Sequence, residues 1–114
     1  MRVACAQYAI RDGDPDRNLE RSLHFIRQAA VEGKDLIVLP ELANSGCDLR
    51  SRERAMAFAE HIPGGPTVEA WRNVAEGSGI HMVGGLLERE GDTLHNSAVL
   101  LGPQTFGRYR KTHL

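Results

Sequence analysis

The spacing of apolar and polar positions changes several times along the chain, and each change marks an element. Residues 2–10 alternate, with Val3, Cys5 and Gln7 on one side and Ala4, Ala6 and Tyr8 on the other. Both sides are largely apolar, which predicts a strand covered on both faces. A polar turn follows, in which Asp14 or Asp16 can accept from the free N–H groups of a helix start and Pro15 suits its first turn. Leu19, Leu23, Ile26 and Ala30 then recur at helical spacing, widened by Phe25 and Ala29, until Gly33 stops the helix. Residues 36–39 are a short apolar run that reads as a second strand, so a parallel βαβ crossover is expected.

Past this unit the pattern loosens. Residues 42–50 read as a loop, residues 52–61 as a short helix, and Pro63-Gly64-Gly65-Pro66 as a break. Thr67 is a candidate cap for a helix whose buried stripe is Val68, Trp71, Val74 and Ala75, ended by Gly77 and Gly79. Residues 81–87 predict a strand in which Gly84 and Gly85 allow close backbone approach. Glu90-Gly91-Asp92 turns a hairpin into residues 94–101, which Gly102-Pro103 closes. The expected architecture is a layered α/β domain on a mixed sheet, with a βαβ start and a later hairpin.

Composition narrows the function classes. The chain has 114 residues, a net charge of −1, 41% hydrophobic and 25% charged residues, which fits at most one globular domain with no basic footprint for nucleic acid. No apolar run approaches the roughly 20 residues of a membrane helix, and residues 3–10 are too short for a signal-peptide core. Cys5 and Cys47 make no disulfide framework, so a reducing cytoplasm is the expected compartment. The five histidines are scattered without zinc-type spacing, and no metal site is expected. The paired glycines lack the lysine and hydroxyl residue of a phosphate loop, which weakens a nucleotide-binding reading.

Candidate chemistry gathers at two places. Glu41 follows the apolar run 36–39 and Pro40, at the end of a strand where α/β sheets carry their sites. Partial desolvation there raises a carboxylate's proton affinity toward that of a general base; a capping or surface glutamate fits the same pattern. Lys111 ends a basic segment with Arg108, Tyr109 and Arg110, and reads either as an oxyanion-stabilising charge or as a solvated strand end. Cys5 reads as a small buried hydrophobe. Cys47 has no demonstrated base beside it. Asn96 reads as a structural hydrogen-bond donor.

Taken together, these segments resemble the nitrilase, or carbon–nitrogen hydrolase, superfamily along the whole chain. The opening Val3-Ala4-Cys5-Ala6-Gln7, then Asn18, Ala29-Ala30 and Gly33, match the family's first strand and helix. Leu39-Pro40-Glu41-Leu42 with Ser45-Gly46 resembles its glutamate motif. Gly85, Glu88-Arg89 and Asn96-Ser97-Ala98 match its hairpin, and Tyr109-Arg110-Lys111-Thr112-His113-Leu114 its lysine motif.

The resemblance implies hydrolysis of non-peptide C–N bonds by a Glu–Lys–Cys triad, with Glu41 as general base, Lys111 as oxyanion stabiliser and no cofactor. It implies a small amide, nitrile or N-carbamoyl substrate, and a homo-oligomer in the full-length family. It places Cys47 in the substrate pocket, where relatives often carry a tyrosine. The family's nucleophilic cysteine follows the lysine motif, and neither Cys5 nor Cys47 occupies its position. Residues 1–114 are therefore expected to be the front part of one domain, the N-terminal half of an α-β-β-α sandwich, inactive alone and either marginally stable or in need of a partner to cover its open sheet face. The alternative is a non-catalytic binding or assembly module that keeps the scaffold.

Overall fold

The computed structural model describes residues 1–46 and 51–111. It contains β1 (Val3–Cys5), α1 (Pro15–Val31), β2 (Leu36–Val38), α2 (Arg52–Phe58), α3 (Pro66–Ser78), β3 (His81–Glu90), β4 (Thr93–Gly102) and β5 (Thr105–Arg110). The five strands form one sheet in chain order: β1, β2 and β3 are parallel, and β3, β4 and β5 form an antiparallel meander. The expected mixed α/β sheet with a βαβ start and a hairpin is what forms.

One face of the sheet is covered. Ile26 and Ala29 of α1 and Val68, Trp71 and Ala75 of α3 join Ile37, Met82, Leu86, Val99 and Leu101 in the core. Gly84 makes the contact possible, because a Cβ there would lie 2.6 Å from the Trp71 ring. The buried face of α1 runs Asn18, Ser22, Ile26 and Ala29, so the expected Leu19, Leu23, Phe25 and Ala30 only flank it. The polar pair has partners that justify its place: Trp71 Nε1 donates to Ser22 Oγ at 2.8 Å, and Asn18 Nδ2 donates to the carbonyls of Arg11 and Asn44 at 2.7 and 3.0 Å. Asp14 is the α1 cap, accepting from the Arg17 N–H, with Pro15 in the first turn.

The opposite face carries Val3 and Cys5 on β1, Val38, Val83 and Gly85 in the middle, and Asn96, Ala98, Leu100 and Tyr109 on β4 and β5. Val3, Leu100 and Tyr109 are 48%, 40% and 65% exposed. The expected double coverage of the first strand is thus not met among the described residues. Cys5 is exposed rather than a buried hydrophobe, because it lies on that open face. The first strand is also shorter than expected. Its partner β2 runs only three residues, and pairing ends with the Ala6 N–H on the Val38 carbonyl.

Three further boundaries differ. The second helix stops at Phe58, since Glu60 leaves it to bridge β3. The cap of α3 is Gly65, not Thr67. Thr67 instead sends its N–H and hydroxyl to the Glu60 carboxylate, at 2.7 and 2.6 Å. The basic segment after Pro103 forms a fifth strand, turned by Gln104 at a φ of 57°.

Candidate active site

Glu41 reaches its place through a two-residue excursion from a strand edge. Leu39 donates its N–H to Val83, and the Gly85 N–H donates to Pro40 at 3.2 Å. Pairing resumes only when the Ala43 N–H reaches the Gly85 carbonyl at 2.7 Å. Glu41 and Leu42 therefore arch over Gly85, with Leu42 in the left-handed region at a φ of 49°. A Cβ on Gly85 would stand 2.7 Å from the Glu41 Cα, so only glycine lets the arch sit this low. Beyond the arch Asn44 continues the edge with its side chain. Its Oδ1 accepts the Leu87 N–H at 2.8 Å, and its Nδ2 donates to the Leu87 carbonyl at 3.3 Å.

The arch aims Glu41 at the last described residue. Lys111 Nζ donates to Glu41 Oε1 across 70 positions of sequence. Asn96 Nδ2 donates to the same oxygen at 2.5 Å. These three side chains, with Leu39, Val83, Gly85, Ser97, Ala98 and Tyr109, line a shallow cavity of about 220 Å³ on the uncovered face. The hydrogen bond from Lys111, then that from Asn96, hold the Glu41 carboxyl below its ordinary proton affinity, against a smaller opposing effect of burial. Desolvation was expected to raise it instead. It does not, because Glu41 is about half exposed and its two donors outweigh what burial there is.

The arch, the acid–ammonium pair and the open cavity invite comparison with known proteins. A family model described as carbon-nitrogen hydrolase matches residues 2–114. The chain belongs to the carbon–nitrogen hydrolase family. It is 39% identical over 115 residues to a nitrilase of Pyrococcus abyssi, covering 100% of this chain and 44% of that protein. It is 34% identical over 117 residues to an omega-amidase of Homo sapiens, covering 100% of this chain and 41% of that protein. A crystallised CN-hydrolase superfamily protein of Xanthomonas campestris, with an arsenic adduct in its active site, superposes with a TM-score of 0.83 at 29% identity, covering 98% of this chain and 40% of the other. The chain thus spans less than half the length of these relatives.

Within this carbon–nitrogen hydrolase chain the candidate residues divide. Glu41, Lys111 and Asn96 meet. Cys5 lines a different cavity, with Gln7, Phe25 and Gln28 beside α1. Cys47 lies outside the described residues. No group of three or more His, Cys, Asp or Glu side chains clusters as metal ligands would among the described residues. No helix among them is long and apolar enough to cross a membrane.

The chain also holds a carboxylate, Glu88, to which the sequence reading gives a place in the hairpin match but no role. Glu88 is 1% exposed on the helix-covered face. Arg110 grips it with two bonds of 2.9 and 2.8 Å, Arg108 adds one at 3.2 Å and Ser97 one at 2.7 Å. Burial pushes Glu88 up, but these donors and the two positive charges prevail and hold it below its usual range. A signal was present. Position 88 continues the buried register of Met82, Gly84 and Leu86, and the arginines at 108 and 110 share one phase of the neighbouring strand.

Proposed function

We propose that this chain supplies the general base and the oxyanion-stabilising cation of an amidase-like site acting on non-peptide C–N bonds. The observation that carries the reading is the Glu41–Lys111 pair, made by residues 70 apart at the mouth of one cavity. Its chemistry suits attack by a thiol on an amide. Glu41, kept ionised by its donors, accepts the thiol proton, and the sulfur bonds to the carbonyl carbon. The carbonyl π electrons move to oxygen, where the Lys111 ammonium balances the new charge. Collapse of that adduct expels ammonia, which takes the proton back from Glu41 and leaves a thioester for water to cleave. A nitrile would give a thioimidate by the same opening step.

The relatives named nitrilase and omega-amidase support this substrate class, and the family's Glu–Lys–Cys chemistry supports the roles. The nucleophile in this reading comes from outside residues 1–114, so the chain alone is inactive. A reducing cytoplasm and a homo-oligomeric state go with the reading. The uncovered face beside the cavity favours one other reading, a binding or assembly module that keeps the scaffold without turnover.

Ammonia release from a panel of aliphatic amides, ω-amides and nitriles tests it, using the longest gene product that contains this chain. Glu41→Gln and Lys111→Met are each expected to lower kcat/KM at least about a thousandfold. Unchanged turnover in either variant refutes the reading. The chain alone should release none. Release that disappears on Cys47→Ser would show that the nucleophile lies within it.

A further inference from the structure

Asn96 makes two bonds whose partners belong to the two ends of the site. Its side-chain amide donates to Glu41 Oε1 at 2.5 Å, and its main-chain carbonyl accepts the Lys111 N–H at 2.9 Å. The amide orientation is dictated by its neighbour, since an ionised carboxylate only accepts hydrogen bonds and must face the NH₂ end. Lys111 Nζ also binds Oε1. Both donors therefore converge on one oxygen, and among the described residues none is bonded to Oε2.

We propose that Asn96 is the positioning residue of the site: its side chain occupies Oε1 of Glu41 and leaves Oε2 as the oxygen that takes the proton. The inference rests on the amidase-like reading of Glu41 and Lys111 and adds to it which oxygen acts and what selects it. A proton arriving at Oε1 would have to displace one of two donors, whereas Oε2 has lone pairs free. A merely structural role for the Asn96 side chain is poorly supported by its surroundings. The arch bearing Glu41 is already held by the Gly85 N–H and carbonyl, and the β4–β5 ladder runs from Ser97 to Gly102 without that side chain.

The test reads Glu41 itself, by NMR titration of its ¹³C-labelled side-chain carboxyl in the longest gene product that contains this chain. In Asn96→Leu, similar in size but without a donor, the Glu41 titration is expected to move to higher pH. In Asn96→Asp it should move further, because a like charge is added. The amide spectrum of the β3–β4 core should stay unchanged in both. A Glu41 titration unmoved in Asn96→Leu, with that spectrum intact, overturns the proposal.

If the single variants do not fold, the double variant Asn96→Asp/Glu41→Gln decides. It exchanges donor and acceptor and keeps one carboxylate beside Lys111. Recovery of the wild-type spectrum supports the contact, and failure to recover overturns it. Neither measurement needs turnover. An active Glu41→Gln gene product sinks the amidase reading while the titration stands, and an unmoved titration sinks the role of Asn96 while the amidase reading stands.

Discussion

Two glycines of this chain respond in opposite ways to the same added methyl. Gly85 lies under the Glu41 arch with main-chain atoms of Glu41 and Pro40 at 2.7 and 3.0 Å from any Cβ, whereas Gly77 in α3 has nothing within 4 Å. Gly85→Ala is expected to cost about 1–3 kcal/mol by overpacking against backbone that cannot yield, and Gly77→Ala to gain about 0.5–1 kcal/mol as an exposed helix position. Urea denaturation of both variants measures the contrast. Equal effects would show that the arch is not seated on Gly85. The acid at the end of the 36–39 run was legible from residue type and position alone. Its low proton affinity was not, because that depends on donors 55 and 70 positions away. Asn96 reads as a structural donor, and the sequence does not name its acceptor because Glu41 lies 55 positions away.

Among the elements, β5 is the one that sequence pattern concealed. Its alternation runs Phe106, Arg108 and Arg110 on the helix-covered face, so the phase that usually shows an apolar stripe shows two arginines. They are tolerated there because Glu88 on β3 meets them across β4, and Arg110 binds both of its carboxylate oxygens. Arg110→Met leaves Glu88 with Ser97 and Arg108 only, and is expected to destabilise the fold by about 2 kcal/mol.

The pH dependence follows from the sign of the Glu88 shift. Its folded affinity for protons is lowered, so its contribution is present above the unfolded value and is lost as pH falls through the folded one. Without Arg110, burial acts against fewer donors, so the loss should begin at higher pH than in the wild type. Thermal unfolding followed from neutral to acid pH checks this. Parallel curves for the two proteins would contradict it. Helices α1 and α3, by contrast, were legible from Pro15, Gly33, the Pro63-Gly64-Gly65-Pro66 break and Gly79, since caps and breakers act locally.

Over the whole molecule, the two faces of the sheet have different fates. The chain is compact, with a radius of gyration of 13.4 Å, close to the roughly 13 Å of a folded domain of about 100 residues. Its open face is therefore not a sign of a loose chain. The residues 2–10 carry apolar groups on both sides, and α1 and α3 cover one side only. Hydrophobic patterning predicts two coverings, and among the described residues one is present. Val3, Leu100 and Tyr109 should make the isolated chain bind a hydrophobic dye and associate as its concentration rises. Leu100→Glu with Tyr109→Lys should reduce both effects. Dye binding and sedimentation test it, and a monomer indifferent to the dye would show the face to be tolerated in water.

The span between Glu41 and Lys111 has a consequence for assembly. The meander of β3, β4 and β5 closes by short turns, and such neighbours are expected to pair before a contact 70 positions apart. Until then Glu41 is an ordinary solvated acid and Lys111 an ordinary tail. The Glu41–Lys111 contact is thus expected among the last to form, and a half-folded copy carries its acid and its amine apart.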